Sequence, residues 1–401
     1  MVPEALPPRA SAVWEVARAA LQLGLTSFGG PIAHLGYYHR EYVLRRRWLD
    51  EATYADLVAV SQFLPGPSST QLHIAIGTLH AGPLGGFVAW LGFTLPSAIA
   101  LVLFAQLSSA VDLAAAGWVH GLKLAAVAVV AQAVLTMWRG LAPDVPRSAL
   151  TIGAAGIALL VPSPAIQVIL IAAGGLFGWR FLRAKASVAA ADTPSPLSRR
   201  VGMACLGAFV ALLVGLPILR ALVPDQEVAV VESFYRAGAL VFGGGHLILP
   251  LLRESVVPPG WVSDSTFLAG YGAAQAVPGP LFTFAAYLGA VIAAPAHRLL
   301  GAAAALAAIS LPGLLLIWGV LPFWHQLRGN PAFRRALSGT NAAVVGILLA
   351  ALYQPIWLSA VTSAVDAAAA IGAFALLAGP RVPPWAAVLI CAAAGEAIGR
   401  L

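Results

Sequence analysis

Two short stretches of this chain carry residues suited to holding an anion. "QFLPGPSST" runs from Gln62 to Thr70, and "QAVPGPLFT" from Gln275 to Thr283. In both, a glutamine precedes Pro-Gly-Pro and a threonine follows it at the same spacing. Proline ends one helix and suits the start of another, while glycine lets backbone approach closely. Pro65-Gly66-Pro67 and Pro278-Gly279-Pro280 therefore read as breaks from which new helices start. The first N–H groups of such helices lack intrahelical partners and sit at the positive end of the macrodipole, where oxyanions bind. Ser68, Ser69 and Thr70 in one stretch, and Thr283 in the other, add hydroxyl donors. Gln62 and Gln275 either donate to the same anion or cap the broken helix. A kink or tight turn between two membrane helices is the plainer reading of one such break. Two in register favour a paired site.

The elements that position these residues lie in a membrane. Of 401 residues, 60% are hydrophobic and 10% charged, against about a quarter charged in soluble domains. Apolar runs recur from Gly85 to Leu107, Gly117 to Met137, Val201 to Leu222 and Ala302 to Val320. Each is long enough to span hydrocarbon as a helix and lacks the alternation of a barrel strand. The fold expected is an all-α polytopic membrane protein. Its net charge of +7 collects in short connections, which fits positive-inside bias and argues against nucleic acid as a partner. Trp138, Trp179, Trp324 and Trp357 suit an aromatic belt. Cys205 and Cys391 both lie in apolar runs, so no disulfide framework is expected. The N-terminus lacks a basic region followed by a short apolar core, and no removable signal peptide is expected.

The chain is internally duplicated. An offset of 213 positions pairs Arg40-Glu41 with Arg253-Glu254, Trp48 with Trp261, Gln62 with Gln275, both Pro-Gly-Pro motifs, and Thr70 with Thr283. With small gaps, "FGGP" from Phe28 pairs with "FGGG" from Phe242, "TLP" from Thr94 with "SLP" from Ser310, and Lys123 with Asn341. The expected organisation is a first repeat over 1–183, a polar linker over 184–200, an extra connecting helix over 201–224 and a second repeat over 225–401. One unpaired helix is how a chain inverts its second repeat. Loop charges point the same way: Arg40, Arg45, Arg46 and Arg47 follow the first glycine motif, whereas Arg328, Arg334 and Arg335 sit in a later loop of the second half. The number of crossings depends on whether each broken segment crosses or turns back.

Further residues have two readings each. Lys123 and Asn341 lie in spanning runs; Lys123 either lines an ion path or snorkels to the interface. Gly29, Gly30, Gly243 and Gly244 act as hinges and anion-facing backbone, or simply pack and cap helices. Arg40 with Glu41, and Arg253 with Glu254, form a gate or a solvated loop pair. Arg45, Arg46 and Arg47 are topogenic, with anion focusing as a second role. His34, His39, His73, His80, His120, His246, His297 and His325 show no metal-ligand spacing, and neither a metal nor a cofactor is expected. His73 falls near Thr70 on one helix face, which makes it a candidate for proton coupling as well as a packing residue.

These motifs resemble the chromate ion transporter family of bacterial membrane proteins. The resemblance rests on "FGGPIAHL" at Phe28, "HREYVLRRRWL" at His39, "QFLPGPSSTQL" at Gln62, the glycine motif after Leu240, "QAVPGPLFT" at Gln275 and "NAAVVG" at Asn341, in order through both halves. Ser68-Ser69 stands where family members often have asparagine, and His246 where an aromatic or aliphatic residue is more usual. The resemblance implies a long-chain, two-domain member with roughly a dozen membrane segments. It also implies antiparallel halves and chromate export driven by the membrane's electrochemical gradient. Sulfate, with the same shape and charge, stands beside chromate as the oxyanion. The expected setting is the bacterial plasma membrane, with the lipid bilayer as partner and a homodimer as a further expectation. The chain has no Walker A motif for ATP hydrolysis. An intramembrane enzyme using Ser68 or Ser69 with His73 is a remote alternative, since the second half has Leu281-Phe282 there and no carboxylate is placed to orient the histidine.

Overall fold

The computed structural model describes residues 9–28, 30–108, 117–161, 164–183, 196–241, 248–324, 330–378, 382 and 384–398. Every regular element among these residues is helical. The first half contains α1 (Arg9–Thr26), α2 (Gly30–Tyr38) prolonged by a π-helical turn (His39–Arg45), α3 (Glu51–Phe63), α4 (Ser68–Ser108), α5 (Gly117–Leu141), α6 (Val145–Leu160) and α7 (Pro164–Phe181). α8 (Arg199–Leu222) follows. The second half contains α9 (Gln226–Leu240), α10 (Ile248–Val256), α11 (Asp264–Ala276), α12 (Phe284–Ile292), α13 (Arg298–Val320), α14 (Pro331–Ala351), α15 (Ala364–Ala378) and α16 (Pro384–Ile398).

The short helices before each break are started by side-chain caps. Asp50 accepts from the Thr53 N–H at 2.7 Å, and Ser263 accepts from the Thr266 N–H at 3.2 Å, satisfying donors that an uncapped helix start leaves open. Asp50 is consequently held below the usual carboxylate range. Both helices then stop at proline: Leu64 and Val277 are extended, as the residue before proline prefers.

α4 is continuous in sequence but is not one rod. Its 41 residues are about twice the length a crossing needs. At Ala81 and Gly82 the backbone leaves helical geometry, with Gly82 at φ 74°. Gly77 and Gly85 then face each other, backbone to backbone. The arms 68–80 and 83–108 are therefore antiparallel, close-packed through glycine. The second half repeats this with α12 and α13, where Gly289 and Gly301 abut.

The chain makes two round trips before its long helices. His80, at the end of the leading arm of α4, stacks on Trp48 at 3.8 Å between ring centroids and lies 3.4 Å from Glu15 of α1. Three points far apart in sequence thus meet at one end of the bundle. α1 and α3 run outward, and α2 and the leading arm of α4 return; α1 itself packs along the trailing arm of α4, where Gly92 meets Ala20 and Gly24 meets Phe93. In the second half, Tyr287 of α12 donates to the Thr266 carbonyl of α11 at 3.1 Å, and Phe284 packs on Phe267. α11 and α12 hence fold back on each other with Pro278-Gly279-Pro280 at the tip.

Among the described residues, five stretches are long and apolar enough to cross a membrane: Ser68–Leu107, Gly117–Leu141, Arg199–Leu222, Pro295–Phe323 and Pro331–Gln354. Five shorter apolar helices join them. The halves exchange their closing elements. Gly117 and Gly121 of α5 press on the backbone of α16 at Gly395 and Cys391, and Gly339 of α14 presses in the same way on α7 at Gly174 and Gly178. Small residues permit these close approaches, which drive helix association where water is absent. α8 stands outside: its only buried residue is Gly202. It is tied to α9 by Arg220 to Glu232 at 2.7 Å and by Tyr235 to the Phe209 carbonyl at 3.0 Å.

Candidate functional site

The two breaks are held by reciprocal bonds. The Gly66 N–H donates to the Val241 carbonyl at 2.5 Å, and the Gly279 N–H donates to the Ser27 carbonyl at 2.8 Å. Val241 and Ser27 immediately precede the two Phe-Gly-Gly motifs. The tip of each half's Pro-Gly-Pro is thus seated on the glycine-motif end of the other half. Gly29, Gly243 and Gly244 lie outside the described residues; Gly30 opens α2.

Both tips also meet the Leu-Pro helix of the opposite half. A Cβ on Gly66 would come within 2.8 Å of Gln71 Nε2 and 3.3 Å of Gly313 Cα, and one on Gly279 would come within 2.8 Å of Ser97 Oγ. Gly313 and Ser97 each follow the proline of their Leu-Pro pair. With φ of 121° and 101°, both tip positions need glycine for conformation as well as for space. Their amides are spent on these cross-half bonds. The remaining donors at the first break are the opening N–H groups of α4, where the Gln71 N–H makes the first helical bond to the Pro67 carbonyl at 2.8 Å. A 3₁₀ turn over Leu281–Thr283 tightens the second start instead.

Unpartnered polar atoms collect beside the breaks. Ser27 Oγ, Thr70 Oγ1, Gln71 Oε1, Thr94 Oγ1 and Gln275 Nε2 are buried without a hydrogen-bond partner, a costly condition for polar atoms away from water. Thr70 and Thr283 are 3% and 0% exposed, so neither faces lipid. Their hydroxyls differ: Thr283 donates to the Pro280 carbonyl at 2.7 Å, whereas Thr70 is unsatisfied. Ser69 is buried and Ser68 half-buried.

Other expected site residues are distributed differently. Gln62 is exposed; the buried glutamine at the first break is Gln71, whose Nε2 donates to the Pro65 carbonyl at 2.8 Å. Lys123 is half-buried on α5, with the Asp264 carboxylate acting on it electrostatically. Asn341 on α14 is buried, its Oδ1 unpartnered. Arg40 and Glu41 do not pair with each other, because neighbours on a helix diverge. Glu41 is held by Arg46 at 2.6 Å and Arg45 at 3.0 Å. Arg253 grips Asp264 with two bonds of 2.8 and 2.7 Å, leaving Glu254 at 3.9 Å. In the first half, the matching link to the start of α3 runs from His39 to Glu51 at 2.9 Å.

His73 Nε2 meets the Tyr42 hydroxyl at 2.5 Å, so its bonded partner is a phenol rather than Ser68 or Ser69. Sequence reading also passed over Ser27, Thr94 and Ser97. The signal for these was their place beside the repeated Phe-Gly-Gly and Leu-Pro motifs.

A family model described as chromate transporter matches residues 14–179 and 228–396. The chain belongs to the chromate transporter family. Its two matched segments leave out α8 and the preceding connection, in keeping with two repeats. The chain is 30% identical over 354 residues to the chromate transport protein of Pseudomonas aeruginosa, covering 86% of this chain and 81% of that one. The probable chromate transport protein of Synechococcus elongatus is 28% identical over 351 residues, with 83% and 81% covered. The chromate transport protein of Cupriavidus metallidurans is 28% identical over 342 residues, with 83% and 80% covered. No solved structure matches the chain. This chromate transporter family member is a transport protein rather than an enzyme, a multi-pass protein of the bacterial inner membrane.

Proposed function

We propose that the protein exports chromate as a secondary transporter, through a site where the broken helices of the two halves converge. The observation that carries this reading is the reciprocal seating of each Pro-Gly-Pro tip, Gly66 on Val241 and Gly279 on Ser27. A dianion in a membrane needs donors already oriented. The opening amides of α4, with Thr70, Ser27 and Thr94 hydroxyls and Gln275 Nε2, supply them. Ser68, Ser69 and Thr283 complete the two helix starts, and Lys123 and Asn341 line the path to them.

The round trips support a crossing count that inverts the second repeat. With both hairpins re-entrant, the first half crosses four times, by the trailing arm of α4 and by α5, α6 and α7. α8 adds one crossing, so the second half enters from the opposite face. The repeats are then 1–183 and 225–401, with 184–200 as linker and 201–224 as the connecting helix. Ion pairs at the hairpin ends, Arg253 with Asp264 and Glu41 with Arg45 and Arg46, gate the movement of one half against the other. A negative interior favours leaving dianions by about 2.3 kcal/mol per charge per 100 mV, so export needs no ATP. The homodimer remains a proposal alongside.

Radiolabelled chromate flux into everted vesicles, with sulfate as competitor, tests this. Saturable flux that falls in Lys123→Ala is expected, together with weaker competition by sulfate. Vesicles that carry neither anion would refute the transport reading.

A further inference from the structure

Beside its break, the first half buries titratable groups that anion binding alone does not require. His73 lies three residues after Thr70 on α4 and is 0% exposed. Its Nε2 bonds the Tyr42 hydroxyl, and its Nδ1 has no partner. Tyr38, also 0% exposed, packs its ring 4.8 Å from His73 and leaves its hydroxyl unpartnered. His34 places Nε2 at 3.3 Å from the Ser27 carbonyl, while its Nδ1 is unpartnered. The rings of His34, Tyr38 and His73 all pack on Phe93.

Hydrogen-bond partners assign the tautomers. His34 must carry hydrogen on Nε2 to donate to a carbonyl, which leaves Nδ1 as a lone pair. With the Tyr42 phenol donating to His73 Nε2, the His73 proton sits on Nδ1. The cluster therefore holds one basic nitrogen on His34, a second on His73 whose only bond is to a phenol, and a phenol with no bond.

We propose that His34, Tyr38 and His73 form a proton-binding site linked to the anion site, so that a proton is taken up here as the dianion seats at the breaks. The inference rests on the anion site proposed above. Two connections carry the linkage. The Ser27 carbonyl that receives the Gly279 amide also receives His34, and His73 shares a helix face with the unsatisfied Thr70. The charged and titratable groups around the cluster are committed elsewhere. Glu41 is held by Arg45 and Arg46, Tyr54 donates to the Leu35 carbonyl, and His80 meets Glu15 and Trp48. Among the described residues no carboxylate contacts either imidazole, so an imidazolium here has the arriving dianion as its counter-charge. In the second half Ile248, Leu252 and Ala286 stand at the positions corresponding to His34, Tyr38 and His73, so these three groups are not repeated there.

Isothermal titration of chromate into the detergent-solubilised full chain tests the proposal. It is run where the free anion is fully the dianion, in two buffers of different ionisation enthalpy. Wild type is expected to take up about one proton per chromate bound. His73→Gln is expected to bind chromate about tenfold more weakly with no proton uptake, and Tyr42→Phe, which keeps the imidazole, to retain uptake. Chromate binding by wild type without proton uptake overturns the proposal, as does unchanged uptake in both His73→Gln and His34→Gln. Absence of binding by wild type removes the anion site itself, and this inference with it.

Discussion

The two halves meet through the same pair of backbone bonds, yet their surroundings differ in kind. In the first half, between the end of α1 and the opening of α4, stand His34, Tyr38, Tyr42 and His73, all buried. In the second stand Phe267, Tyr271, Phe284 and Tyr287, a ring-packed core. Duplication has preserved what the backbone must do, because Gly66 and Gly279 face the same steric and conformational demand. Side chains that only had to fill space were free to diverge. The lesson is that symmetry in this fold belongs to the breaks, while polar chemistry sits mainly on one side.

Substitution at the tips should give the largest effect and should be symmetric. Gly66→Ala and Gly279→Ala each add strain of about 1–3 kcal/mol at a positive φ and push the tip off its cross-half bond. Chromate flux in everted vesicles is expected to drop by roughly tenfold or more in both, given the cost of misplacing a site by an ångström. A normal rate in one of them would break the equivalence of the halves.

Elsewhere the halves should respond unequally. Glu232 is buried and pairs with both Arg220 and Arg236, whereas its counterpart Arg18 is exposed. Glu232→Gln leaves those guanidinium groups short of a charge and should lower stability by about 3 kcal/mol. Arg18→Gln should stay within about 0.5 kcal/mol. Thermal unfolding in detergent reads both, and equal shifts would contradict the asymmetry.

A smaller contrast separates the two links at the starts of α3 and α11. The Arg253 to Asp264 pair is bidentate, with side chains 17% and 35% exposed. Asp264→Asn is expected to cost about 1–2 kcal/mol. The Glu51 side chain is 69% exposed against His39, and Glu51→Gln should cost no more than about 0.5 kcal/mol. The same unfolding assay ranks them; a larger loss at Glu51 would reverse the comparison.

Features expressed as residue types were legible in the sequence. Repeated Pro-Gly-Pro, long apolar runs and the family motifs pointed to an all-α transporter, and they still do. What stayed hidden depends on backbone and helical phase. The partners of the tip glycines are carbonyls of Ser27 and Val241, which leave no mark on residue identity. Gln62 recurs but faces outward, while Gln71, a turn into the next helix, is turned inward. Adjacent Arg40 and Glu41 looked like a pair, but side chains one residue apart on a helix splay. The reversal at Ala81-Gly82 was announced by the following Pro83, then masked by the apolar run on either side. The exchange of closing helices between halves rests on Gly and Ala contacts whose pattern alone does not name a partner.

The proposed seat of chromate is where the breaks converge, against the opening turn of α4. Its most direct test is chromate protection of Thr70→Cys, in a background with Cys205 and Cys391 replaced by alanine, from a small thiol reagent in transporting vesicles. Saturating chromate is expected to slow modification by about tenfold, with sulfate protecting less. Modification at an unchanged rate while chromate flux continues would contradict it.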